Sequence, residues 1–183
     1  EVAKLHKEGY EFIMIGHKGH PEVEGTMGQL LEGIYLVEDV DDVQRVHPKQ
    51  TERLAVVTQT TLSVDDAAEI SQAIQARFPQ VRQPKQQDIC YATQNRQDAV
   101  KFMAPTADVV IVVGSPNSSN SNRLREVALS LGTQAYMVDN AGELQPEWIA
   151  GKRRIGVTAG ASAPEVLVDE VVQRLKALGA QRV

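Results

Sequence analysis

Five small, neutral, polar residues, Ser118 to Asn122, stand between the apolar run VVIVV and helical spacing that resumes at Leu124. The pattern predicts a helix that begins near Arg123, and the first four backbone N–H groups of a helix have no partner inside it. That end also carries a partial positive charge, which suits a phosphate group. A cap uses only one or two side chains. The length of the run therefore leaves phosphate binding and helix capping as equal alternatives.

Two other serines precede predicted helices. Ser162 stands before APEVLVDE, with Pro164 in the expected first turn and Glu165 placed as in a capping box. Ser63 stands before VDDAAEI, with Asp66 as a weaker capping partner. Taken alone, both patterns favour capping over ligand binding.

The loop GHKGHPEVEG places His17, His20, Glu22 and Glu24 within eight positions. Two histidines and a carboxylate can ligate zinc, but His-x-x-His in a glycine-containing loop is weaker evidence than the helical His-Glu-x-x-His pattern. Histidine can also donate to an anion, and Glu22 beside His20 can serve as a proton donor. Acid–base or anion-binding chemistry, a zinc site and a solvated turn all remain open.

Thr60 and Cys90 are less informative by themselves. Thr60 lies in TQTTLS after a predicted strand, where threonine is common for structural reasons. Cys90 is the single cysteine, and a solitary cysteine is most often a small buried apolar residue. Near a helix N-terminus it could instead be a nucleophile or a metal ligand, because the helix dipole favours the thiolate.

Short β-branched runs alternate with helical patterns along the whole chain. The runs are EFIMI, IYLV, RLAVV, VVIVV, QAYMV and RRIGV. Continuous apolar strands separated by helices predict an α/β fold, with mainly parallel sheets flanked by helices. In open parallel sheets the ligand crevice lies beyond the carboxyl ends of the strands. The candidate loops all follow strands and are expected at that edge.

One pattern occurs twice, about 100 residues apart. Ile15–His17 corresponds to Val113–Ser115, and each segment is followed by a second strand, a third strand ending Val-Thr, and a long helix. This indicates two copies of one small α/β unit. The segment FPQVRQPKQQ predicts a boundary near residue 86, which gives domains 1–86 and 87–183.

Composition restricts the function classes. The 183 residues carry a net charge of -5, which argues against a nucleic-acid-binding surface, and no apolar run approaches the length of a membrane span. One cysteine cannot form an internal disulfide, so a reducing, cytoplasmic location is expected. The chain begins at Glu1 in a helical pattern that Gly9 ends, which predicts a fragment lacking an upstream part.

Five motifs taken together resemble the 4-hydroxy-3-methylbut-2-enyl diphosphate reductase family, also called IspH or LytB. They are GHKGHPEVEGTMGQ, TQTTLSVDD, DICYATQNRQ, GSPNSSNSNRL and GVTAGASAP, in order along the chain. The resemblance implies the second and third of three similar α/β domains, which surround a 4Fe–4S cluster held by three cysteines. It implies reductive removal of a hydroxyl group from an allylic diphosphate, giving isopentenyl and dimethylallyl diphosphates. This is the last step of the methylerythritol phosphate route to isoprenoids, with ferredoxin or flavodoxin as electron donor.

The resemblance also assigns residues. It implies that Cys90 is one cluster ligand, that Glu22 delivers protons, and that Thr60 lies near the substrate hydroxyl and the proton path. The residues that match the family's diphosphate ligands are His20, Ser118, Ser119, Asn120 and Ser162. Two of the cluster cysteines belong to an upstream region, so this chain alone is expected to lack the cluster and to be inactive.

Two other functions remain as alternatives. A phosphate- or diphosphate-binding α/β module without redox chemistry would use the same loops. A zinc hydrolase would use His17, His20 and Glu24.

Overall fold

The computed structural model describes residues 2–84 and 89–181, and the chain divides into two compact units, Glu1–Cys90 and Tyr91–Val183. The boundary predicted near residue 86 lies outside the described residues. Each unit has its own sheet and its own apolar core.

The first unit contains a three-stranded parallel sheet with the order β2-β1-β3. Its elements are α1 Val2–Lys7, β1 Glu11–Ile15, α2 Pro21–Met27, β2 Ile34–Val37, α3 Val40–Arg45, β3 Leu54–Thr58 and α4 Val64–Arg77. The central strand β1 is buried on both faces. Ile13 packs in the core that includes Ile74 of α4, whereas Phe12 packs in a smaller core with Leu5 of α1.

The second unit repeats this arrangement with the strand order β5-β4-β6, again all parallel. Its elements are α5 Tyr91–Met103, β4 Val109–Val113, α6 Ser119–Ser130, β5 Ala135–Val138, α7 Pro146–Ile149, β6 Ile155–Ala159 and α8 Glu165–Ala177. The five residues of β4 are all buried. Ile111 packs in the core that includes Val171 and Leu175 of α8, and Val112 packs in the core that includes Leu124 of α6.

The amino ends of the strands in the second unit are tied by Asp108. Its carboxylate accepts the backbone N–H groups of Arg153 (2.8 Å) and Arg154 (2.9 Å), just before β6. These backbone hydrogen bonds lower the pKa of the Asp108 carboxyl from its ordinary value.

The predicted α/β class with two similar units is confirmed, because both sheets are parallel, share one strand order and have the first strand of their unit at the centre. The predicted strands coincide with the observed ones to within two residues at each end. No helix in the ranges 2–84 and 89–181 has both the length and the apolar character needed to cross a membrane.

Candidate functional site

The predicted loops of the first unit lie at the carboxyl ends of β1 and β3, which pair side by side. The backbone N–H of Gln59, directly after β3, donates to the carbonyl of Ile15 at the end of β1 (2.8 Å). The loop after β1 then leads to α2. His20 is the N-cap of this helix, and its Nδ1 accepts the N–H of Glu22 (3.2 Å).

Glu22 is held by a single residue of the neighbouring loop. The backbone N–H of Thr60 lies 3.1 Å from both carboxylate oxygens of Glu22, and the Thr60 hydroxyl donates to Oε2 at 3.1 Å. The N–H of Cys90 in turn donates to the carbonyl of Thr60 (3.2 Å), and Cys90 is exposed. The fold therefore joins Glu22, Thr60 and Cys90, which are far apart in sequence, in one chain of hydrogen bonds.

Gln59 is a residue of this loop that sequence reasoning missed. It is 1% exposed, its Oε1 accepts the N–H of His17 (3.0 Å), and its Nε2 donates to the hydroxyl of Thr61 (3.0 Å). The available signal was a long polar residue directly after a buried strand and between two threonines.

In the second unit, the polar run Ser118 to Asn122 starts a helix earlier than predicted. The helix α6 begins at Ser119, not near Arg123, with Ser118 as its N-cap accepting the N–H of Ser121 (3.3 Å). The Asn122 amide donates to the carbonyl of Pro116 (2.7 Å) and to that of Ser118 (3.1 Å). Side-chain capping within the run itself allows this early start.

Two side chains of the first turn of α6 are buried without a hydrogen-bond partner. Asn120 is 7% exposed, and neither of its amide atoms is hydrogen-bonded; Ser121 is 1% exposed, and its Oγ is likewise unpartnered. Leaving such a group unsatisfied costs roughly 1–3 kcal/mol, and each case calls for an explanation. Together with the helix N-terminus, the Asn120 amide indicates a place for a ligand that offers hydrogen-bond acceptors.

The first turn of α6 packs against the backbone of two strand-end glycines, Gly114 after β4 and Gly160 after β6. A Cβ at either position would overlap the Ser121 Oγ, and a Cβ at Gly160 would also lie 3.8 Å from the Asn120 Nδ2. The N–H of Gly160 donates to the carbonyl of Val113 (2.9 Å). The loop after β6 therefore lies directly beside the Asn120 amide.

Ser162 lies on this same loop, but it does not cap α8. The helix begins at Glu165, its N-cap is Pro164 with an extended backbone (φ -61°, ψ 136°), and no side-chain capping bond is formed. The predicted capping box is therefore wrong, and Ser162 is exposed. The Ser63 cap is confirmed, because its Oγ accepts the N–H of Asp66 (3.3 Å).

Arg96 on α5 is a second residue that sequence reasoning missed. Its guanidinium donates to the carbonyl of Ala159 (2.9 Å), the last residue of β6, and so anchors the loop that carries Gly160 and Ser162. A cavity of about 870 Å³ in this unit is lined by Ile155 and Leu178 among others, and no predicted site residue lines it.

Within the described ranges, no group of three or more His, Cys, Asp or Glu side chains is arranged to hold a metal ion. His20 uses its Nδ1 as a helix cap, and His17 lies 3.9 Å from Glu38. Iron–sulfur clusters are held by several thiolates, so the single Cys90 can supply one ligand but does not by itself fit a cluster.

Comparison with known proteins places the chain in a family. The family model described as LytB protein matches residues 1–176. A 4-hydroxy-3-methylbut-2-enyl diphosphate reductase from Polaromonas sp. is 77% identical over 180 residues, which cover 98% of this chain and 54% of that protein. The protein of the same name from Ralstonia nicotianae is 69% identical over 183 residues, covering 100% of this chain and 56% of the relative.

A solved structure agrees with these sequence matches. The E-1-hydroxy-2-methyl-but-2-enyl-4-diphosphate reductase from Plasmodium falciparum superposes with a TM-score of 0.88 at 35% identity, covering 96% of this chain and 57% of that one. The chain thus spans little more than half the length of the relatives that it matches. On these matches in sequence and in fold, the chain belongs to the LytB protein family.

Proposed function

We propose that the full-length protein containing this chain is a 4-hydroxy-3-methylbut-2-enyl diphosphate reductase. Its relatives carry this name. The reaction replaces an allylic C–O bond by a C–H bond and releases water, which consumes two electrons and two protons. The observation that carries the proposal is that Thr60 bonds both the Glu22 carboxylate and the backbone N–H of Cys90, because this holds an acidic side chain and the residue that bears the thiol at one loop.

In this proposal Glu22 delivers protons to the substrate. Thr60 orients the carboxyl through its backbone N–H and its hydroxyl. Because the hydroxyl hydrogen of Thr60 is directed at Glu22, the oxygen lone pairs of Thr60 are available to accept from a substrate hydroxyl. Thr60 thereby connects the reacting oxygen to the proton donor.

In the same proposal, neutral donors bind the diphosphate. They are His20 at the start of α2, Ser118, Ser119 and Asn120 at the start of α6, and Ser162 on the loop after β6. The unpartnered Asn120 amide supports this role, since an anionic oxygen would satisfy its buried N–H₂ group. Neutral donors fixed by the fold stabilise an anion with little rearrangement.

The cofactor belongs to the full-length protein. We propose a 4Fe–4S cluster for which Cys90 supplies one thiolate and residues outside this chain supply the rest. Ferredoxin or flavodoxin would provide the electrons, and the protein would act in the cytoplasm. The 183-residue chain alone would be inactive, because it contains one cysteine.

Anaerobic reconstitution of the full-length protein with iron and sulfide tests the proposal. We expect bound iron and sulfide, visible absorption from the cluster, and reduction of the allylic diphosphate. The Cys90→Ser variant should lose most of the turnover and alter the cluster absorption. The 183-residue chain treated identically should remain colourless.

The alternatives give different results in the same experiment. Diphosphate binding without bound iron in the full-length protein would overturn the reductase in favour of a phosphate-binding module. Stoichiometric zinc that is lost in a His17→Ala variant would overturn it in favour of a hydrolase.

A further inference from the structure

We infer that Gln59 is a positioning residue that sets the direction of the Thr61 hydroxyl, so that this hydroxyl donates its hydrogen to a ligand oxygen at the carboxyl edge of the sheet. The inference rests on the proposed function for its kinetic test. The side chain of Gln59 bonds His17 and Thr61, and neither of these bonds involves Glu22 or the N-terminus of α6.

The orientation of the Gln59 amide follows from its two partners. The backbone N–H of His17 can only donate, so the atom of Gln59 that lies 3.0 Å away must be the amide oxygen. The amide nitrogen therefore faces Thr61 Oγ1, also at 3.0 Å. The reversed amide is excluded, because it would place its N–H₂ group against the N–H of His17, two donors facing each other.

The Thr61 hydroxyl must then accept a hydrogen bond from Gln59. A hydroxyl has one hydrogen and two lone pairs, so the hydrogen of Thr61 remains available for another acceptor. No described residue accepts it, and Thr61 is only half-buried. The Thr60 hydroxyl is oriented the other way, since its hydrogen is donated to Glu22 and its lone pairs remain available. Neighbouring threonines thus offer a ligand one acceptor and one donor.

The amide of Gln59 has no room to turn away. The side chain is 1% exposed, and the backbone N–H of the same residue is bonded to Ile15. A Cβ added at Gly16 would lie 3.2 Å from both the Cβ and the Oε1 of Gln59, so the loop after β1 packs directly on this side chain. The corresponding residue of the second unit is Gly160, whose N–H donates to Val113 as that of Gln59 donates to Ile15, and glycine has no side-chain amide. The arrangement is therefore specific to the first unit.

The kinetic test is a double-mutant cycle in the full-length protein. Gln59→Glu keeps the shape of the side chain and still accepts the N–H of His17. Its second carboxylate oxygen can only accept, so the Thr61 hydroxyl must donate to it and not to the ligand. Thr61→Val removes the hydroxyl. Each variant should raise KM for the diphosphate substrate roughly 3- to 10-fold, the effect of one lost hydrogen bond, and kcat should change less. The double variant should be no worse than either single variant. Thr61→Ser, which keeps the hydroxyl, should retain the wild-type KM.

Multiplying effects in the double variant, or a wild-type KM in Thr61→Val, would overturn the inference while leaving the reductase activity intact. A second measurement needs no activity. In the 183-residue chain, hydrogen exchange of the Gln59 side-chain N–H₂ should be protected and should accelerate in Thr61→Val. Unchanged exchange would show that the amide does not donate to Thr61. Absence of turnover by the wild-type protein, by contrast, would count against the proposed function and not against the Gln59 geometry.

Discussion

At the scale of single residues, the position of Glu22 is set by Thr60 from another loop. One backbone N–H and one hydroxyl of Thr60 reach the carboxylate, all within 3.1 Å. Since the same residue receives the N–H of Cys90 on its carbonyl, a change at Thr60 disturbs both neighbours. The proton-donor role proposed for Glu22 can therefore be tested only by a substitution that preserves these contacts.

Glu22→Gln is such a substitution. The amide oxygen can still accept from Thr60, but the side chain no longer carries an exchangeable acidic proton. In the full-length protein we expect kcat to fall on the order of 10²- to 10⁴-fold, with little change in substrate affinity, as measured by steady-state kinetics and calorimetric binding. Glu32→Gln is the matched control, because Glu32, which precedes β2, is exposed and forms an ion pair with Lys49. Comparable losses of turnover and affinity would contradict a proton-donor role.

Asn120 and Asn122 lie on the same helical turn, but replacing each by alanine should affect the free energy of unfolding differently. Asn120 has an unpartnered buried amide, so Asn120→Ala should leave the free energy of unfolding unchanged or raise it by up to about 1–3 kcal/mol. The same variant should weaken diphosphate binding by the full-length protein. Asn122 donates to two carbonyls, so Asn122→Ala should lower the free energy of unfolding by about 1 kcal/mol.

Urea denaturation of the 183-residue chain and calorimetry of the full-length protein measure the two effects. A loss of stability in Asn120→Ala with unchanged diphosphate affinity would show that the amide is structural, contrary to the proposal.

At the scale of elements, a glycine directly after the central strand of each unit lets the first turn of a helix pack closely on the end of that strand. Gly16 follows β1 and meets Val23 in the first turn of α2, and Gly114 follows β4 and meets Ser121 in the first turn of α6. In each unit the two residues are seven positions apart. The close approach brings the helix N-terminus, with the N–H groups of its first turn, to the carboxyl edge of the sheet.

Gly16→Ala tests this seating. The added Cβ would lie 2.5 Å from the Val23 Cγ2, so we expect a loss of about 1–3 kcal/mol in the free energy of unfolding, measured by urea denaturation. Gly25→Ala is the matched control on the same helix. Nothing lies within 4 Å of a Cβ there, and alanine should stabilise the helix by roughly 0.5–1 kcal/mol. Equal effects of the two substitutions would show that contact with Val23 does not explain the glycine.

The strands were predictable because buried parallel strands are continuous apolar runs. VVIVV, for example, is the whole of β4. The start of α6 was not, because each Ser or Asn of the run is a good N-cap residue, and the sequence does not say which of them is the cap. The Ser118–Ser121 bond identifies Ser118. Gln59 was missed because its partners are 42 residues before it and two residues after it. Contacts of that range depend on the strand pairing, which sequence spacing does not specify.

At the scale of the whole chain, the two similar units differ at equivalent positions. His20 and Ser118 are both N-caps, and Glu22 and Asn120 each lie two residues further along. One unit therefore presents a carboxylate where the other presents an amide. A carboxylate can carry a proton but repels a phosphate, whereas a neutral amide can donate to one. The two similar units thus offer two strand-end candidate sites of related geometry and different chemistry.

Because each unit buries its own core, each should fold when it is separated from the other. We expect residues 1–90 and residues 91–183, produced individually, to give dispersed NMR spectra and cooperative unfolding, with a free energy on the order of 5 kcal/mol. Residues 91–150 serve as the control, because this piece lacks β6 and α8 and leaves one edge and one face of β4 uncovered. It should be unfolded. Disordered spectra for either intact unit would mean that its core needs contacts from the rest of the protein, and the two units could not then be treated as independent carriers of the two sites.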